Sequence, residues 1–310
     1  MVVKLWQPNL YSRDQANFIL GIKLWRDHKN KILGLSQARY IDKGLEWFSM
    51  QNSKKGLLPF RHGVPLSDDQ RPKTLEEENM MRQVPYASVV GSLMYAMLCT
   101  RQDICYLVGM VSQYQSNPRP KHWQAIKHIL KYLRRMRDYM LVYRFEDLIL
   151  ISYTDSNFQS DLDFRKSISG CVFTLGGGAI SWRGVKQSCI ADSTMEAEYV
   201  ATCEAAKEAV WLKKFLSDLG IMRMEQVPIT LFCNNSGVVA QSKDPRNHKK
   251  GKHIKRKYHI IRDIVARGDV VVAKIENANN LEYPFTKALP QKTFESHLEG
   301  MGVRLVHNSL

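Results

Sequence analysis

Leu148-Ile149-Leu150-Ile151-Ser152-Tyr153-Thr154-Asp155-Ser156-Asn157 is an apolar run that ends in a carboxylate, and about forty residues later Ser193-Thr194-Met195-Glu196-Ala197-Glu198-Tyr199 opens a helix carrying a second one. The run from Leu148 to Thr154 reads as a buried strand. From Thr194 the spacing of Ala197, Ala201, Ala205, Ala209, Leu212, Leu216 and Leu219 predicts a helix to about Leu219, stopped by Gly220. Its alanines allow close approach to a sheet. A strand and a helix that bring carboxylates together can hold divalent metal for phosphodiester chemistry, which uses two ions about 3.5–4 Å apart.

Outward from this pair, the C-terminal half alternates in type. Gly170–Leu175 and Ala179–Trp182 read as a hairpin about Gly176-Gly177-Gly178. Ile229–Cys233 reads as a strand, Val238–Ser242 and Lys252–Arg267 as helices, Val270–Ile275 as a last strand and Pro284–Gly300 as helical. In the N-terminal half, residues 17–25 and 31–36 read as two strands and Gln37–Phe48 as a helix. Residues 51–84, with Pro59, Pro65 and Pro72, read as a long exposed connection. Helices are expected at about Tyr86–Cys99, Ile104–Gln115 and His122–Arg137, and a strand at Tyr139–Tyr143. The pattern is an α/β sheet with helices on its faces, preceded by a helix-rich part, with a boundary near residues 138–147.

Bulk properties bound the function. The chain has 310 residues, enough for two domains, and 44% hydrophobic residues, enough for packed cores. A net charge of +15 calls for an anionic partner, nucleic acid before an anionic membrane. Six cysteines without C-x-x-C spacing fit reduced thiols in an intracellular protein, cytoplasmic or nuclear and not secreted. No apolar run approaches the roughly 18–20 residues that span a bilayer.

The local chemistry leaves choices. Asp155 suits a hard cation, and with Ser156 and Asn157 beside it also suits a turn. Glu196 and Glu198 stand roughly 200° apart on a helix, so one site cannot use both. Ser193 and Glu196 have capping-box spacing, which leaves Glu198 as the candidate ligand. Residues 246–262 hold eight Lys or Arg and no acid, and Lys249, Lys250, Lys252, Lys255, Arg256 and Lys257 are the candidate phosphate contacts; the plain counter-reading is a solvated face. Lys127, Lys131 and Arg134 line one face of an N-terminal helix as a second basic stretch.

Several further stretches carry a resemblance: Ile19-Leu20-Gly21-Ile22-Lys23, Gly34-Leu35-Ser36-Gln37, Gly91-Ser92-Leu93-Met94-Tyr95, Ile129-Leu130-Lys131-Tyr132-Leu133, Glu196-Ala197-Glu198-Tyr199 and Thr286-Lys287. The chain resembles the C-terminal part of the Pol polyprotein of copia-type LTR retrotransposons, from about residue 16 to residue 304. The resemblance implies an unmatched segment 1–15, a reverse transcriptase C-terminal remnant over 16–143, and a ribonuclease H-like domain over 144–310 that cuts RNA in RNA–DNA hybrids with Mg²⁺, or Mn²⁺ in its place. It implies Asp155 and Glu198 as metal ligands. Residues 1–15 lack the family's Tyr-x-Asp-Asp motif, so no polymerase active site is expected, and a truncated copy is.

Two departures from the family pattern touch the chemistry. Where the family reads Cys-Asp-Asn, this chain has Cys233-Asn234-Asn235, and where the family has an aspartate three residues before Thr-Lys it has Tyr283. Asn234 and Tyr283 thus stand at two lost aspartate positions. Asn brings no charge and Tyr is neutral at physiological pH. Impaired catalysis is expected, with Glu282 next door as a stand-in. A non-catalytic relic that binds nucleic acid is the other reading.

Overall fold

The computed structural model describes residues 17–60, 66–67, 74–146, 148–221, 228–243 and 252–305, with residues 252–258 described by their backbone alone. Two units emerge, dividing after Arg144 and again after Thr286.

The first expected strand is in fact a tight hairpin, β1 (Phe18–Ile19) and β2 (Ile22–Asp27). Leu20 and Gly21 form its turn with φ of 49° and 76°, a left-handed pair that reverses the chain in two residues. β3 (Ile32–Ser36) follows, then α1 (Ala38–Trp47). Inside the stretch read as a connection lies a helix, α2 (Leu75–Arg82). Thr74 caps it by accepting from the Glu77 amide at 3.2 Å, and three glutamates in the first turn favour its positive end. α3 (Tyr86–Cys99), α4 (Cys105–Ser112), α5 (Pro120–Arg135) and β4 (Tyr139–Arg144) complete this part of the chain.

The second unit has the sheet expected from the resemblance. It contains β5 (Ile151–Asn157), β6 (Ile168–Leu175), β7 (Gly178–Lys186), α6 (Thr194–Asp218), β8 (Ile229–Cys233), α7 (Ser236–Lys243), α8 (Lys252–Ala266) and β9 (Val270–Lys274). The order is β7-β6-β5-β8-β9, with β5, β6 and β7 antiparallel and β8 and β9 parallel to β5. This is a ribonuclease H-like mixed sheet. The alanine stripe does what its spacing predicts: Ala197, Ala201, Ala205 and Ala209 are buried, and α6 packs on β5 and β6. Phe173, Tyr199, Leu212, Leu216, Leu231 and Val272 fill the core between them, each apolar side chain contributing about 1.5–3 kcal/mol by leaving water.

Beyond Thr286 the chain returns to the first unit. The expected Pro284–Gly300 helix is broken: Tyr283–Phe285 is a single 3-10 turn, and Pro290 begins α9 (Gln291–Gly300). A proline lacks the amide a helix interior needs, so it can only stand at the start. β10 (Val303–Leu305) then pairs antiparallel with β4, closing a first-unit sheet of order β1-β2-β3-β4-β10. The second unit thus ends at Thr286, and the chain from Lys287 belongs to the first. Among the described residues no helix is long and apolar enough to cross a membrane, and none of the six cysteines is joined to another.

Candidate functional site

The site lies where β5 and β8 part. Their parallel pairing ends at Thr154 and Cys233, and beyond it β5 continues against β6 alone. Asp155 is therefore inside the strand, opposite Gly170, and 1% exposed. The expected end at Thr154 and the turn reading of Asp155 both yield to this pairing. Clefts at the C-terminal ends of parallel strands, where neighbours diverge, are where such sheets present functional groups.

Glu198 reaches the same region from the second turn of α6 and is 7% exposed. Helix entry works as the spacing suggests, displaced by one residue. Ser193 Oγ accepts from the Glu196 amide at 3.2 Å, while Glu196 Oε2 accepts from the Asp192 amide at 2.8 Å. Glu196 is thereby committed to the cap. Both carboxylates act on the Cys233 thiol, which is pushed up to about 12 first by burial and then by the charges of Glu198 and Asp155.

Asn234 follows β8. Its Nδ2 donates to Asp155 Oδ1 at 3.1 Å and to the Tyr283 hydroxyl at 3.1 Å, and its Oδ1 is buried with no hydrogen-bond partner among the described residues. The structure thus brings together Asp155, Asn234 and Tyr283, in one chain of hydrogen bonds. Asn235 has a separate task that the sequence reading missed: its Oδ1 accepts from the amides of Gly237 and Val238 and caps α7.

Glu282 is fully buried. Its Oε1 lies 1.6 Å from where a Cβ at Gly170 would stand, and its Oε2 accepts from Thr286 Oγ1 at 3.3 Å. Cross-strand partners point to one face, so the Asp155 side chain and the Glu282 carboxylate are neighbours on that face. No local signal in the sequence foretells this. It follows from a glycine whose missing side chain is replaced by an acid from a distant turn.

These residues do not fit a pair of divalent ions. Asn234 turns a donor toward Asp155, and an N–H cannot ligate a metal. Rotating the amide would set its oxygen against the Asp155 carboxylate. Tyr283 sets a phenol hydroxyl against the same Asn234 nitrogen, a bulkier group than a carboxylate. Among the described residues no group of three or more His, Cys, Asp or Glu is placed to hold a metal ion.

Of the basic candidates, Lys249 and Lys250 lie outside the described residues, and Lys252, Lys255, Arg256 and Lys257 stand in the first turns of α8. On α5, Lys127 packs its ammonium over the Trp123 ring at 5.5 Å.

No protein-family model matches the chain. The retrovirus-related Pol polyprotein from transposon TNT 1-94 of Nicotiana tabacum is 43% identical over 288 residues, covering 93% of this chain and 22% of its own length. That from transposon RE1 of Arabidopsis thaliana is 31% identical over 294 residues, 94% of this chain and 19% of its own. The chain thus spans about a fifth of these Pol polyproteins. A shorter relative, secreted RxLR effector protein 161 of Plasmopara viticola, is 46% identical over 133 residues, 43% of this chain and 94% of its own. Among solved structures, LC11-RNase H1 in complex with RNA/DNA hybrid aligns at a TM-score of 0.32 and 20% identity, over 42% of this chain and 88% of its own. So low a score adds no weight, and the fold rests on strand order and direction.

Proposed function

This chain belongs to the retrovirus-related Pol polyproteins of copia-type transposons, and from that premise we propose that its second unit is a ribonuclease H-like module that engages the backbone of an RNA–DNA hybrid but hydrolyses it poorly. The observation that carries this reading is the Asn234 amide nitrogen hydrogen-bonded between Asp155 and Tyr283. Two-metal hydrolysis needs acceptor oxygens converging on the ions. Here a donor and a phenol occupy two of the four positions that the family resemblance assigns to carboxylates. Loss of one electrostatic element of a catalytic site costs on the order of 10²–10³ in rate, and such losses combine non-additively.

Binding has separate support. The excess of 45 Lys and Arg over 30 Asp and Glu, with eight of the basic residues and no acid in residues 246–262, supplies phosphate contacts independent of metal. The first unit, in this reading, is the reverse transcriptase remnant, and it takes the chain's last strand into its own sheet.

One observation favours residual activity: the Glu282 carboxylate beside Asp155, a third acid close to the cleft although enclosed. Both readings meet in one assay. A labelled RNA–DNA hybrid is incubated with wild type, Asp155→Ala and the Asn234→Asp, Tyr283→Asp double variant, in Mg²⁺ and in Mn²⁺. The expected result is retention of the hybrid by the wild type with little cleavage, and more cleavage by the double variant. Rapid wild-type turnover abolished in Asp155→Ala overturns the impaired reading.

A further inference from the structure

Arg119 is 3% exposed, and neither its Nε nor its Nη1 meets a hydrogen-bond acceptor among the described residues. A guanidinium cannot shed its proton, so burial without an anion is costly. Arg119 is also the N-cap of α5, a position that favours Ser, Thr, Asp or Asn because their side-chain oxygens accept from the exposed amides. Its side chain makes no such bond, and the first turn of α5 holds no acidic residue. A 16-residue helix thus carries a buried cation at the positive end of its dipole, with no acidic residue in its first turn and no side-chain cap.

Residues 116–119, which lead into α5, border a cavity. Arg119 lines a space of about 620 Å³ together with Arg82, Ser116, Asn117 and Glu78. Glu78 is exposed, and among the described residues it forms no ion pair with Arg119. Two arginines against one solvated glutamate leave the space net positive, and the Ser116 and Asn117 side chains line it with further polar groups.

We propose that this cavity at the N-terminus of α5 binds a phosphate group, with Arg119 as the buried anchor and Arg82 as the exposed second contact. Oriented helix amides plus a guanidinium fork are a combination suited to phosphate oxygens. The site lies within the first unit and stands independently of the function proposed for the second. The phosphate comes either from a free ion or from a nucleic-acid backbone, and the chemistry of recognition is the same.

Calorimetric titration of the full chain with inorganic phosphate, and with a short oligonucleotide bearing only internal phosphodiesters, distinguishes these sources. Arg119→Gln and Arg82→Gln are each expected to weaken phosphate binding about tenfold or more, the size of a lost charge-assisted contact. If the oligonucleotide weakens in step, the ligand is the backbone; if only inorganic phosphate weakens, it is the free ion. Because Arg119→Gln removes a buried charge that lacks a partner, the ligand-free variant should melt no lower than wild type. A lower Tm marks a structural arginine and overturns the proposal, as does phosphate binding left unchanged by Arg82→Gln, or no phosphate binding by wild type.

Discussion

Asn234 Nδ2 stands 3.1 Å from Asp155 Oδ1, a hydrogen bond at a place where the family resemblance puts two carboxylates facing a metal. The donor neutralises the repulsion that a second carboxylate would bring. The amide thus places a neutral donor on Asp155 Oδ1 at this position.

Restoring both acids should therefore exchange stability for metal dependence. In the Asn234→Asp, Tyr283→Asp variant, like charges crowd Asp155 and the metal-free protein should melt several degrees lower, since each such charge interaction amounts to roughly 1 kcal/mol or more. Added Mg²⁺ should raise the Tm of the variant and leave wild type unmoved. Thermal melts with and without Mg²⁺ decide the matter; an equal response from both proteins would count against the donor set described.

The contact between Gly170 and Glu282 makes a second prediction. A methyl group at Gly170 would stand 1.6 Å from Glu282 Oε1, closer than any real contact. Gly170→Ala should cost about 1–3 kcal/mol through overpacking. Combined with Glu282→Ala, the cost should fall short of the sum of the single changes by about 0.5–3 kcal/mol, the range for residues in contact. Urea denaturation of the four proteins measures the coupling, and strict additivity would rule the contact out.

In the first unit, Arg101 and Asp103 form a buried two-point pair, Nη2 to Oδ2 at 2.6 Å and Nε to Oδ1 at 3.0 Å, and the Tyr132 hydroxyl donates to Asp103 at 2.5 Å. Arg101 Nη1 also donates to the Met136 carbonyl at 3.2 Å. With every partner satisfied the charges are tolerable, but removal of one leaves the other stranded. Asp103→Asn should cost about 3–5 kcal/mol, and replacing both Arg101 and Asp103 by apolar residues should cost less. Chemical denaturation tests the order of the two; a double replacement costing more than the single one contradicts it.

Much of this architecture was legible in local patterns. The alanine spacing of α6 foretold a helix pressed on a sheet, and the Ser193–Glu196 spacing separated the capping acid from the buried Glu198. The proximity of Asp155, Asn234 and Tyr283 followed from motif positions in the family resemblance, not from periodicity. Local patterns failed where structure depends on distant chain. β10 has three residues and no period of its own, and it exists because β4 offers an open edge. Helix α2 was hidden by the prolines around it, although Thr74 and Glu77 carry a capping signal. The Glu282 carboxylate on Gly170 joins two segments that say nothing of each other in sequence.

His297 supplies a test of pH dependence. It sits in the last turn of α9, where the negative end of the dipole would favour the protonated ring by about 0.3–1 kcal/mol. Burial opposes this and prevails: the ring is 2% exposed, and its pKa is lowered from 6.5 by burial first and by the Lys287 charge second. The folded chain thus binds this proton more weakly than the unfolded chain does. The stability that the neutral ring confers is complete above about pH 6.5 and is lost as pH falls below it, with a slope of at most about 1.4 kcal/mol per pH unit for one proton. His297→Gln keeps a polar group of similar size and removes the titration. Denaturation of wild type between pH 7.5 and 5 should show a loss that the variant lacks, whereas parallel profiles would mean that His297 takes up its proton equally in both states.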